Sequence, residues 1–106
     1  MRYLLLVLAL LLPARSLRAQ QCSEEAVAQA TKLLAFHTDG DDRASVDSVA
    51  TELPSILNPA NESQQFVVLQ EWGYVYKGQY RMRFIFYRME EQCVLMGQEI
   101  LEYASL

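Results

Sequence analysis

Tyr80-Arg81-Met82-Arg83-Phe84-Ile85-Phe86-Tyr87 decides the fold. Aromatic and β-branched residues dominate it, and Tyr80, Met82, Phe84 and Phe86 alternate with Arg81 and Arg83. That alternation marks a β-strand with one apolar face. Turn residues flank it on both sides: Lys77-Gly78-Gln79 before, and Met89-Glu90-Glu91-Gln92 after. Beyond the first turn, Phe66-Val67-Val68-Leu69 through Tyr76 reads as another strand. Beyond the second, Cys93-Val94-Leu95-Met96 through Leu101 reads as a third. Short turns between consecutive strands give a three-stranded antiparallel meander.

Two registers compete for the first hairpin. In the upstream strand Val68, Trp72, Tyr74 and Tyr76 share a face. A three-residue loop puts them on the same side as Tyr80, Met82, Phe84 and Phe86, with Trp72 beside Phe84 and Tyr74 beside Met82. A two-residue loop sets Trp72 against Arg83 and Tyr74 against Arg81, because a one-residue slip swaps every side chain between faces. The first register collects more apolar surface on one side and is the one expected. The second would stack cations on aromatics at an exposed face.

The N-terminal part is helical in period. Ser23 is a candidate N-cap, Glu24 and Glu25 follow in the first turn, and Val27, Ala30, Leu33, Leu34 and His37 form an apolar stripe. Thr38-Asp39-Gly40-Asp41-Asp42 ends this helix, with Gly40 placed for a left-handed backbone. A short second helix is expected over residues 44–53, where Val46, Val49, Ala50 and Leu53 share a helical face before Pro54. Asn58-Pro59-Ala60-Asn61 is a loop. The expected class is therefore α+β: one main helix and a short second one, packed on a three-stranded meander.

Upstream of all this lies an export signal. Arg2 precedes an unbroken apolar run from Tyr3 to Leu12, closed by Pro13. The run is too short to span a bilayer core, which takes about 20 helical residues, and it fits the core of a signal peptide. Cleavage is expected after Ala19, with Ala14-Arg15-Ser16 as the other small-residue pattern. That gives residues 1–19 as signal and 20–106 as one small domain, periplasmic or secreted, with no stable membrane insertion after cleavage. Gln20-Gln21 before Cys22 argues against lipid attachment there. Removing 1–19 takes away Arg2, Arg15 and Arg18, so the net charge falls from −4 to −7. Such an acidic domain is a poor nucleic-acid binder, since phosphate contacts need clustered Lys and Arg.

Two cysteines remain, Cys22 and Cys93. In an oxidising compartment a single pair has one connectivity, and a disulfide is expected. Metal binding would need more ligands than two isolated thiols and one histidine supply. His37 stands near Ser45 and Ser48, but no nucleophile motif surrounds them. Asp39-Gly40-Asp41-Asp42 bunches its carboxylates instead of spacing them as a calcium loop does. No cofactor is expected. Asn61-Glu62-Ser63 fits the N-glycosylation pattern.

The concentration of aromatics and arginines between residues 72 and 88 is the one feature that points outward. Trp72, Tyr74, Arg81 and Arg83 are the candidate partner-binding residues. An exposed aromatic sheet face, or a free sheet edge, also allows homodimerisation.

A long helix followed by an antiparallel meander, exported and disulfide-bonded, resembles the outline of cystatin-type protease inhibitors. These carry a Q-x-V-x-G loop between two strands. The segment here is Gln65-Phe66-Val67-Val68-Leu69, with Leu69 where the tight wedge needs glycine, and no family is assigned on it. The same outline occurs in cone-shaped ligand-binding and dimerising domains, so outline alone does not give function. The leading expectation is a non-catalytic exported interaction protein with an unknown protein partner: an accessory subunit, an inhibitor or an immunity-type binder. The alternative is a domain that binds a small apolar ligand in a pocket between helix and sheet.

Overall fold

The computed structural model describes residues 14–105. The predicted export segment lies outside these over residues 1–13. One helix, α1 (Ala14–His37), is followed by five strands: β1 (Ala44–Val46), β2 (Thr51–Asn58), β3 (Asn61–Val75), β4 (Gly78–Met89) and β5 (Gln92–Ser105). All pairings are antiparallel and belong to one curled sheet in the order β1-β3-β4-β5. β2 and β1 share one edge of β3, with β2 along Asn61–Gln70 and β1 along Gly73–Val75.

The expected α+β class is thereby corrected. The protein is mostly β, with five strands in a curled half-barrel instead of three in a meander. The expected second helix is replaced by β1, a turn and the start of β2. Val46, Val49, Ala50 and Leu53 do fall at helical spacing, but the segment is rich in β-branched residues and lies beside an edge of β3 that needs partners. Backbone pairing along that edge outweighs a marginal helical period. Pro54 is accommodated because β2 is an edge strand with a register shift between Leu53 and Ile56.

The hairpin register is corrected as well. Val75 pairs with Gly78 across the two-residue loop Tyr76-Lys77, so Trp72 faces Arg81, Tyr74 faces Gln79 and Gln70 faces Arg83. β3 is apolar on both faces, so alternation alone could not orient it. Gly73 does. A Cβ there would come within 2.8 Å of Met82 Cε and 2.9 Å of Leu34 Cδ2, so the position must face the helix and must lack a side chain. Putting Gly73 inward turns Trp72 and Tyr74 outward.

α1 starts at Ala14, upstream of the expected Ser23, and runs on to the expected His37. Ser23 is thus not an N-cap; its Oγ accepts a hydrogen bond from the backbone N–H of Ala50. The buried helix stripe is Cys22, Ala26, Ala30 and Leu34, a four-residue spacing that places small side chains against the sheet. Opposite them lie Leu69, Met82, Phe84 and Phe86, which complete the core. The end of α1 is as expected: Gly40 has φ 75° and its N–H bonds back to Ala35 O.

The disulfide is present. Cys22 and Cys93 are bonded, with Cα atoms 5.7 Å apart and a sequence separation of 71. It ties α1 to the start of β5. Its presence fits an oxidising compartment. No helix among the described residues is long and apolar enough to cross a membrane.

Candidate functional site

Strand parity sorts every sheet residue onto one of two faces. The inner face, under α1, carries Val67, Leu69, Glu71 and Gly73 of β3 opposite Phe86, Phe84, Met82 and Tyr80 of β4. The outer face carries Val68, Gln70, Trp72 and Tyr74 opposite Ile85, Arg83, Arg81 and Gln79. All four candidate partner-binding residues, Trp72, Tyr74, Arg81 and Arg83, therefore lie on the outer face.

β5 extends this outer surface. Gly97 pairs with Ile85, Glu99 with Arg83 and Leu101 with Arg81. Arg83 donates through Nε to Glu99 Oε1 and forms an ion pair with it. Arg81 makes no ion pair among the described residues. The Tyr103 ring meets Trp72 edge-on, with centroids 5.1 Å apart and planes at 78°. Leu101 and Tyr103 are each more than half exposed, at 53% and 61%. Next to the Arg83–Glu99 pair is a shallow cavity of about 300 Å³ lined by Ile56, Val68, Ile85 and Gly97. Arg81 thus stands as an unpaired cation among aromatic and aliphatic groups.

Tyr74 sits at the border of this face. Its hydroxyl donates to Asp47 Oδ2 at 3.4 Å. Burial, then the Asp47 charge, raise its proton affinity above that of an ordinary phenol. Asp47 is held in turn by its backbone N–H, which donates to Trp72 O.

One charged residue points the other way. Glu71 is fully buried on the inner face, and neither carboxylate oxygen has a hydrogen-bond partner. Burial, reinforced by the Asp47 charge, pushes its carboxyl up to about 7. Sequence reading missed it. The signal was its place in the row Val67-Leu69-Glu71-Gly73-Val75, an acidic residue in an apolar alternation, visible only once that row is known to face inward.

The remaining sequence candidates stay dispersed. His37 is exposed at the end of α1 with its ring edge-on to Tyr80 at 5.5 Å. Asp41 binds Arg43 through both carboxylate oxygens, and that contact holds its carboxyl down near 2. Asn61 is exposed at the start of β3, its Oδ1 accepting from the N–H and hydroxyl of Ser63. Gln65–Leu69, the segment likened to an inhibitory loop, is mid-strand in β3, paired with β2 and β4 and ending in buried Leu69. Among the described residues, no three His, Cys, Asp or Glu side chains gather to hold a metal ion.

Comparison with known proteins gives no relative: no protein-family model, no curated protein and no solved structure matches the chain.

Proposed function

We propose that this is a small exported, non-catalytic interaction protein, periplasmic or secreted, that binds a protein partner through the outer face of its sheet. The observation that carries the reading is the gathering of Trp72, Tyr74, Arg81 and Arg83 on the face opposite α1. Exposed aromatics beside an unpaired arginine are the composition of interface centres. Arg81 asks for a partner that brings a carboxylate, since burying an unpaired guanidinium is costly. The disulfide supports export and locks α1 over the inner face, so the outer face is presented on a fixed scaffold.

Two features favour binding over catalysis. Glu71 is sealed from solvent, and His37 is exposed with its ring edge-on to Tyr80. A pocket between helix and sheet would favour the carrier alternative, but Phe84, Leu34, Leu69 and Met82 fill that layer.

The test is capture with the oxidised chain from its native compartment, run beside Trp72→Ala and Arg81→Glu. A specific partner retained by the parent chain and lost from both variants supports the reading. Equal retention by all three, or turnover in a substrate panel with no partner bound, overturns it.

A further inference from the structure

We infer that the free edge of β5, with the groove between it and α1, is a docking site for an extended, basic peptide segment that adds as a sixth strand. It involves a different surface from the outer face and stands apart from that reading.

The backbone comes first. β5 ends the sheet order, and its outer edge pairs with no strand among the described residues. An unpaired edge displays a row of N–H and C=O groups that accepts another strand. The opposite edge is protected: β2 contains Pro54 and a register shift, and β1 has three residues. β5 is 14 residues long and has no proline. Its bulges fall at Met96 and Tyr103, leaving Gly97–Glu102 in regular pairing.

α1 supplies the second wall. Two contacts show that helix and strand run in the same direction: the Cys22–Cys93 bond and the hydrogen bond from Gln29 Nε2 to Gln98 Oε1, 3.0 Å. Between them and beyond lie two open cavities of about 390 Å³ each. One is walled by Glu24, Glu25 and Glu91; the other by Leu33 and Phe36 with Lys32 beside them, a cation that turns basic residues away from that end. The eleven helical steps from Glu25 to Phe36 cover ~16 Å, about the length of five strand residues. The seam is thus long enough for half a dozen residues of added strand. Phe36, 88% exposed, has no core role in α1, which makes it available to a bound side chain.

Charge then selects the occupant. Glu24, Glu25 and Glu91 form no ion pair among the described residues, and Glu102 stands further along β5. A second copy would set one chain at −4 against another, so self-pairing is opposed. A basic segment is favoured. In an all-antiparallel sheet it must run against β5, which puts its apolar residues by Leu33 and Phe36 and its lysines or arginines at the C-terminal end, by the three glutamates.

The probe is a synthetic peptide of about ten residues, alternating Val and Thr and ending in Lys-Lys, titrated into the oxidised chain with amide shifts followed by NMR. Shifts should map to Gly97–Glu102 and the α1 seam. Moving Lys-Lys to the N-terminus, or substituting Glu24→Gln, Glu25→Gln and Glu91→Gln together, should weaken binding about tenfold at low salt, as a few partly exposed charge pairs would. N-methylation of the pairing amides should abolish it without touching the protein. Phe36→Ser should weaken it, and Trp72→Ala should not. No binding, equal binding of the reversed or N-methylated peptide, or shifts elsewhere would overturn the proposal, as would a β5-mediated dimer.

Discussion

Replacing Glu71 by glutamine should stabilise the protein at alkaline pH and leave it unchanged in acid. The folded carboxyl titrates at about 7, against an ordinary value of 4.5. Below 4.5 both folded and unfolded chains hold the proton, and burial of a neutral group is all that folding requires. Between 4.5 and 7 the unfolded chain releases its proton while the folded one keeps it, so stability falls as pH rises. Above 7 the full cost applies. At about 1.4 kcal/mol per pH unit, the difference comes to roughly 3 kcal/mol. That is a large fraction of the ~5–15 kcal/mol typical of a domain. Glutamine keeps the shape and cannot ionise, so it escapes the cost while retaining an equally unsatisfied buried polar end. Urea unfolding followed by the single tryptophan, Trp72, at pH 4, 6 and 8 measures the gap between parent and variant. The gap should be near zero at pH 4, open through pH 6 and approach about 3 kcal/mol at pH 8. A gap constant across the range, or one that opens toward acid, would refute the reasoning, since carboxylates common to both chains cancel in the difference.

Other substitutions probe the scaffold. Cys22→Ala with Cys93→Ala removes a crosslink across 71 residues and should cost roughly 4 kcal/mol by loop entropy, read as a lower urea midpoint. Gly73→Val drives a side chain into Met82 and Leu34 and should cost about 1–3 kcal/mol, whereas Gly40→Ala meets no atom and should cost only the strain of its positive φ. Breaking the Arg83–Glu99 pair with Glu99→Gln should change stability by less than about 1 kcal/mol, because both side chains are largely exposed. Thermal unfolding of each variant settles these orders.

Much of the scaffold was legible in residues. β4 announced itself by alternation, the end of α1 by Gly40, and the disulfide by there being only two cysteines. The β4–β5 turn fell where Glu90-Glu91 stand, between Met89 and Gln92. What was not legible depended on contacts between distant segments. Residues 44–58 have too few apolar positions to distinguish a helical period from an edge strand until β3 is present to pair with them. β3 presents Val67, Leu69 and Val75 on one side and Val68, Trp72 and Tyr74 on the other, so its orientation waited on the helix pressing against Gly73. The expected register set Trp72 beside Phe84, on the face that Glu71 in fact occupies. The candidate residues Trp72, Tyr74, Arg81 and Arg83 were legible as a group, because aromatics and arginines concentrate there, but their sharing of one face was not.

A partner seated on the outer face would cover Trp72 and Tyr103. Hydroxyl-radical footprinting of the oxidised chain, alone and with its captured partner, tests it at the side chains concerned. Trp72 and Tyr103 should become protected in the complex while exposed Tyr76 at the β3–β4 turn does not. Unchanged labelling of Trp72 and Tyr103 with protection confined to α1 would contradict it.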